Sequence, residues 1–313
     1  MRRRSALALM LAASAGGCTS RTPPDVEQLT IAAGQVGSAY HALGLALAEA
    51  VRHEWGITAH VLNTVTESID NLRYVGEGGA DISFATVDAC VLARRGDYPF
   101  FSGQTVVTLG ALYEDYLHIV VRAESGIQAV ADLKGRAIST GPPDSGTAII
   151  ATRVLQAANI SGTPRKELSI VDAALELARG GIDAFFSLGG VPTPEIAKLA
   201  QQIPIRVLSV PAELIELQDI YGWAYLSRSI SAGIYHLKAG AETIGIPNVI
   251  VVRDDMPEVT AYRFTKLLFT AKQRLAQAHS QATRLDERSA LATYSVPLHP
   301  GAVRYYREAK PLV

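Results

Sequence analysis

Residues 29–51 read LTIAAGQVGSAYHALGLALAEAV, and the order of properties along this stretch decides the fold. Leu29-Thr30-Ile31-Ala32 is a short apolar run of strand length. Gly34-Gln35-Val36-Gly37-Ser38 follows as a turn, where glycine lets the backbone bend tightly and serine can cap the next element. From Tyr40 to about His53, Leu43, Leu47, Ala50 and Val51 recur at helical spacing. Strand, glycine turn and helix in this order open a parallel α/β unit with a right-handed crossover.

The pattern continues outward. Thr58 to Leu62 reads as a second strand, Ser68 to Val75 as a second helix, and Asp81 to Ala85 as a third strand just after Gly78-Gly79. It restarts with the β-rich run Leu117 to Val121 and a turn at Leu133 to Arg136. The strand Ala137 to Thr140, the loop Gly141 to Thr147 and a helix from about Ala148 to Ala158 come next. Further strands fit Asp183 to Ser187 and Ile205 to Val210. The run Val249 to Val252 then precedes amphipathic helices expected from about Val259 to His279 and from Leu285 to Tyr294.

The similar runs 117–121 and 249–252 bracket the middle block. The economical expectation is an α/β protein of two lobes, each a mostly parallel sheet flanked by helices. Lobe 1 takes residues 28–118 plus 245–313, lobe 2 (residues 119–244) is inserted, and the two connecting segments form a hinge. No fixed-period repeat interrupts this plan. With 313 residues, 48% hydrophobic and 19% charged, both lobes can bury a core without metals or disulfides. The net charge of −1 provides no basic field for nucleic acid.

The N-terminus reads as an export signal. Arg2, Arg3 and Arg4 precede the apolar stretch Ala6 to Ala15, which ends in Gly16-Gly17-Cys18. That stretch is too short to span a bilayer. Small residues before a cysteine resemble a lipobox, although Ala15 stands where leucine is usual. The expectation is a signal peptide over 1–17, lipidation at Cys18, and a proline-containing tether over 18–27 that leaves the chain anchored in the periplasm. Ordinary cleavage, giving a soluble periplasmic protein, is the alternative. Removing 1–17 takes three arginines and no acids, so the net charge falls to −4. Cys90, in the run Ala89 to Ala93, reads as a buried small hydrophobe.

Two loops carry the chemistry. Gly34 to Ser38 and Pro142 to Thr147 each join a strand to a helix, with Gly34, Gly37 and Ser38 in the first and Ser145, Gly146 and Thr147 in the second. A helix N-terminus offers free N–H groups and the positive end of a dipole, so both loops can hold an anion, or can merely cap their helices. In open α/β sheets such loops lie where ligands bind. Tyr113 and Phe186 are candidates to stack on a solute, with core packing as the alternative for Phe186. GxxxxGK[ST], GxGxxG and GxSxG are all absent. The seven histidines form no HxxxH or HExxH and there is no CxxC, so neither a zinc site, a cofactor nor a catalytic residue is expected. His41 is the one histidine placed near the cleft.

From Leu29 to about residue 270 the chain resembles the TAXI family, the solute-binding receptors of TRAP-type transporters. The resemblance rests on Leu29 to Gly44, Ser68-Ile69-Asp70-Asn71-Leu72, Ala80 to Phe84 through Asp88, His118 to Arg122, and Asp132 to Gly135. It continues in Gly141-Pro142-Pro143 with Ser145-Gly146-Thr147, in Phe185-Phe186 with Gly189-Gly190-Val191-Pro192-Thr193-Pro194, and in Val249 to Arg253. It implies a type II periplasmic-binding-protein fold that closes on a small carboxylate such as glutamate and delivers it to TRAP membrane subunits. It adds Tyr40, Ser68, Thr86, Asp88, Gly190 and Pro192 to the expected ligand-binding residues. A monomer is expected. An enzyme on the same scaffold, or a lipoprotein that senses its ligand, are the alternatives.

This chain departs from the family pattern at the same loops. Ala32-Ala33-Gly34 replaces Gly-Thr-Gly, His41-Ala42 replaces Tyr-Pro, and Thr86-Val87 stands where Gln and Ser are common. Glu67 and Asp144 occupy positions usually small or glycine. Their side chains are expected to point to solvent, the alternative being that they pair with an ammonium group on the solute.

Overall fold

The computed structural model describes residues 28–309. The expected signal peptide, Cys18 and the tether up to residue 27 lie outside the described residues. Among the described residues no helix is long and apolar enough to cross a membrane.

The first part of the chain runs β1 (Leu29–Ala32), α1 (Ala39–Trp55), β2 (Ala59–Leu62), α2 (Ser68–Gly76), β3 (Ile82–Thr86) and α3 (Val87–Arg95). A long strand, β4 (Val106–Arg122), leads into β5 (Ile138–Ser139), α4 (Gly146–Ala157), β6 (Arg165–Lys166), α5 (Ile170–Arg179), β7 (Ala184–Gly189) and α6 (Pro194–Gln202). Next come β8 (Ile205–Val207), α7 (Pro211–Tyr221), β9 (Leu226–Ile230) and a second long strand, β10 (Ala241–Arg253). Helices α8 (Glu258–Thr270), α9 (Lys272–Ala278) and α10 (Pro300–Ala309) close the chain.

The ten strands form one sheet in the order β2-β1-β3-β10-β4-β7-β5-β6, with β8 beside β4 and β9 beside β10. Strands β2, β1 and β3 are mutually parallel, and so are β6, β5 and β7. The antiparallel pair β4–β10 joins these two sets. Both long strands pass from one lobe into the other, and the core changes partway along each. On β4, Tyr113 packs into the cluster of Leu43, Phe84 and Phe264, whereas Leu117 packs into that of Ile138, Ile150 and Phe186. On β10, Ile246 belongs to the second lobe's core and Val249 to the first's. Between them Glu114, Asp115 and Tyr116 are only half-buried, and they pair with Pro247, Ile246 and Gly245. Pro247 has no N–H to give the ladder, and the register shifts just beyond Asn248.

Strong periodicity was a good guide to the first half: β1, α1, β2, α2 and β3 lie within one or two residues of the reading above. Cys90 is fully buried and unpaired, in the core with Leu72 and Val251. The helix expected over 285–294 does not form; only Ser289–Leu291 makes a short 3₁₀ turn. The Asp286 carboxylate accepts hydrogen bonds from the Arg288 and Ser289 N–H groups at 2.9 and 3.1 Å, a local turn that competes with the helix.

The α10 helix depends on a close approach. A Cβ on Gly301 would lie 2.2 Å from the Glu258 carbonyl oxygen and 2.7 Å from the Tyr262 nitrogen, both on the backbone of α8. Gly301→Ala is therefore expected to destabilise the protein by about 1–3 kcal/mol, the usual cost of overpacking, read as a lower denaturant midpoint with an unchanged slope.

Candidate functional site

A cavity of about 620 Å³ opens at the level of the neck, lined by residues of both lobes. Six helices present their first residues to it. Ser38, Ser68 and Thr86 stand at the starts of α1, α2 and α3; Ser145, Ser169 and Thr193 at the starts of α4, α5 and α6. Three of these are caps by side chain: the hydroxyls of Ser38, Ser145 and Ser169 accept from His41, Ala148 and Asp172 N–H, each at 3.2 Å. The remaining unpaired N–H groups and the dipole ends make the walls receptive to anionic oxygen.

Of the residues expected from sequence, Ser38, Tyr40, Ser68, Thr86 and Tyr113 line the cavity from the first lobe. Ser145, Gly146, Thr147, Phe186 and Gly190 line it from the second. Gly34, Gly37, Asp88 and Pro192 do not. Gly34 acts one step back, since a Cβ there would lie 2.5 Å from Ser38 Oγ and 3.1 Å from a Glu67 oxygen. Gly37, at φ +91°, makes the turn and faces open space. Pro192 is exposed in its loop, whereas Gly190 leaves room for Gln281, whose Nε2 would be 1.8 Å from a Cβ.

Asp88 is buried behind the cavity in a charged cluster that joins the lobes. Its Oδ2 accepts from the Tyr225 hydroxyl at 3.0 Å and lies 3.5 Å from Arg153 Nη1. Arg153 also donates to the Tyr225 hydroxyl, and its guanidinium sits 3.9 Å from the Tyr221 ring centroid. His118 likewise supports the second wall. Its Nδ1–H donates to Tyr116 O at 2.9 Å, which leaves Nε2 to accept from the Tyr235 hydroxyl at 3.0 Å. That hydroxyl in turn accepts from Thr193 N–H at 2.7 Å, pinning the Gly189–Pro194 loop. Burial holds the His118 imidazole neutral, with a pKa lowered to about 4.

Three residues that line the cavity were not among the expected ligand-binding residues, Asp115, His279 and Gln281, and Asn248 supports Asp115 from behind. The histidine that lines the cavity is His279, not His41. Glu67 and Asp144 also line it; Asp144 is exposed at the rim, but Glu67 is turned inward rather than to solvent. A polar chain crosses the floor. Thr86 N–H donates to Ser68 Oγ at 3.2 Å, which lies 3.4 Å from the Tyr40 hydroxyl. Tyr40 donates to Asn248 Oδ1, and Asn248 Nδ2 donates to Asp115 Oδ2 at 2.9 Å. Asn248 was detectable in principle, as the lone amide in the apolar run Ile244 to Val252.

The acids here are held against their preference. Burial pushes the Asp115 carboxyl up to about 7; the Asn248 bond opposes this, and the charges of Glu67 and Asp88 add to it. Burial also raises Glu67, partly offset by the Ser38 hydroxyl. A raised folded-state pKa means that Asp115 favours folding below its ordinary value of 3.8, and that this contribution is lost as pH rises through about 7. Asp115→Asn is therefore expected to stabilise the empty protein at pH 8, on the order of 2 kcal/mol after solvent screening, and to change little at pH 4. Thermal unfolding across pH 4–8 measures the difference.

Comparison with known proteins places the chain. The model of the NMT1-like family matches residues 31–309, and the chain belongs to that family. Among solved structures it is similar to the periplasmic aliphatic sulphonate binding protein SsuA from Escherichia coli, at 18% identity and a TM-score of 0.52, over 90% of this chain and 79% of that one. It is similar to XAC2383 from Xanthomonas citri bound to ATP, at 16% identity and a TM-score of 0.55, over 90% and 95%. MatC from Rhodopseudomonas palustris with bound malate matches at 9% identity and a TM-score of 0.53, over 82% and 89%. At these identities the likeness is one of fold.

Proposed function

We propose that this NMT1-like protein is an extracytoplasmic solute-binding receptor, not an enzyme, and that it serves a TRAP-type transporter of the TAXI kind. One observation carries the reading: among the described residues, six helix N-termini from two lobes converge on a cavity at the point where β4 and β10 cross between them. Such a site can grip a small solute from both sides, and closing brings together contacts that neither lobe makes alone. Only a solute that touches both lobes favours the closed state.

We place the hinge at Tyr113–Tyr116 and Gly245–Asn248, the neck of β4 and β10, half-buried at Glu114–Tyr116 and buried along β10, with lobe 1 on the side of β1 and lobe 2 on the side of β7. A carboxylate arm of the solute would sit at the start of α4, on the N–H groups of Gly146 and Thr147 beside the Ser145 hydroxyl. Tyr113 and Phe186 would cover its apolar part. SsuA by its name takes sulphonates and MatC is seen with malate, both anions, which supports an acidic group on the solute. The arginines before Ala6 to Ala15 and the cysteine at position 18 support export and a lipid anchor. The TAXI assignment and the TRAP subunits as partners are supported by the ordered motifs from Leu29 to Arg253.

A thermal-shift panel of organic acids and amino acids tests the reading. A solute at about 100 times its Kd is expected to stabilise the protein by about 2.7 kcal/mol, a rise of several degrees. A complete absence of stabilisation across the panel contradicts the proposal.

A further inference from the structure

We infer that Glu67 and Asp115 form a cation subsite on the first-lobe wall of the cavity, one that selects solutes carrying a protonated amine. This rests on the receptor reading above and specifies its substrate class.

The charge balance of the lining points this way. Among the described residues, Glu67, Asp115, Asp144 and Glu195 line the cavity and no lysine or arginine does. His279 is the one basic side chain present, and burial lowers its pKa, so it supplies no charge at neutral pH. Acids at helix starts are ordinary, because they complement the dipole, and that accounts for Asp144, for Glu195 and for the place of Glu67 at the N-cap of α2. It does not account for Asp115, which stands in mid-strand on β4 with no helix end behind it. Asn248 donates to one Asp115 oxygen, and among the described residues nothing donates to the other. Neither Asp115 nor Glu67 has an ion-pair partner there, and the Glu67 charge helps to push the Asp115 carboxyl up.

A second, independent observation comes from unsatisfied polar atoms. Thr86, 3% exposed, and Gln281, 9% exposed, line the same cavity, and among the described residues Thr86 Oγ1 and Gln281 Oε1 have no hydrogen-bond partner. Buried polar atoms without a partner are uncommon and mark a group that is still to arrive. An ammonium carries the missing positive charge and three N–H donors, enough for the two carboxylates and one of these two oxygens. A dicarboxylate without an amine would instead bring further negative charge against Glu67 and Asp115. The backbone is also built to bring Glu67 in: it is a non-glycine residue at φ +49°, and Gly34 leaves the space its carboxylate fills.

Binding of matched pairs tests the subsite: L-alanine against lactate, 4-aminobutyrate against 4-hydroxybutyrate, and L-glutamate against 2-hydroxyglutarate, by calorimetry at pH 8. In any pair that binds, the aminated member is expected to bind at least tenfold tighter. Glu67→Gln and Asp115→Asn, each checked for folding by circular dichroism, are expected to cut that preference below threefold. Equal affinity within the pairs, or a preference that survives both substitutions, overturns the inference. Tight binding of a deaminated acid alone overturns it while leaving the receptor reading intact; a panel in which neither series binds contradicts both.

Discussion

The antiparallel pairing of β4 with β10 is the constraint on which the structure depends. These are the strands that run through both lobes, so their register fixes where each lobe's core begins and ends. It also fixes the site. Tyr113 opposite Asn248 and Asp115 opposite Ile246 stand at the neck, and the Asn248 side chain reaches back to Asp115. A slip of one residue would turn these side chains to the other face. Pro247 and the shift after Asn248 interrupt the ladder at the same level, where two lobes need to move relative to one another.

Charge is distributed around this neck in two ways. Asp88, Arg153 and Tyr225 form a buried set that satisfies itself between the lobes. Its gain over apolar packing is small, but losing Asp88 or Arg153 would strand the other's charge at a cost of about 3–5 kcal/mol. Asp115 and Glu67, by contrast, are left without a cation. Burial raises both carboxyls, so holding them charged in the empty cavity is costly.

Much of the fold was legible in the sequence, because β1, α1, β2, α2 and β3 announce themselves by periodicity and glycine turns. The long β4 was seen only from Leu117 onward, since its first half is continuously buried and carries no alternation to read. The candidate site was legible where a residue sits at a strand-to-helix turn: Ser38 and Ser145 follow from that rule, whereas Ser68 and Thr86, which also obey it, were expected from the family resemblance. Asp88 obeys it too, but its carboxylate is taken by Arg153 and Tyr225 from the other lobe. Asp115 reaches the cavity from β4, braced by Asn248 of β10, and Gln281 from a short 3₁₀ turn (Ser280–Arg284) far along the chain, a meeting set by tertiary register rather than by local pattern.

The central claim is that the lobes close about the neck when a solute binds. Leu45 on α1 and Val171 on α5 are 50% and 61% exposed on opposite lobes, and Cys90, fully buried, would not compete for a thiol label. Spin labels on a Leu45→Cys, Val171→Cys variant report the distance between lobes by double electron–electron resonance. Adding the solute that stabilises the protein most is expected to shorten and narrow that distance by several ångströms, on the order of other hinge closures. A distribution unchanged by a saturating, stabilising solute would contradict the account.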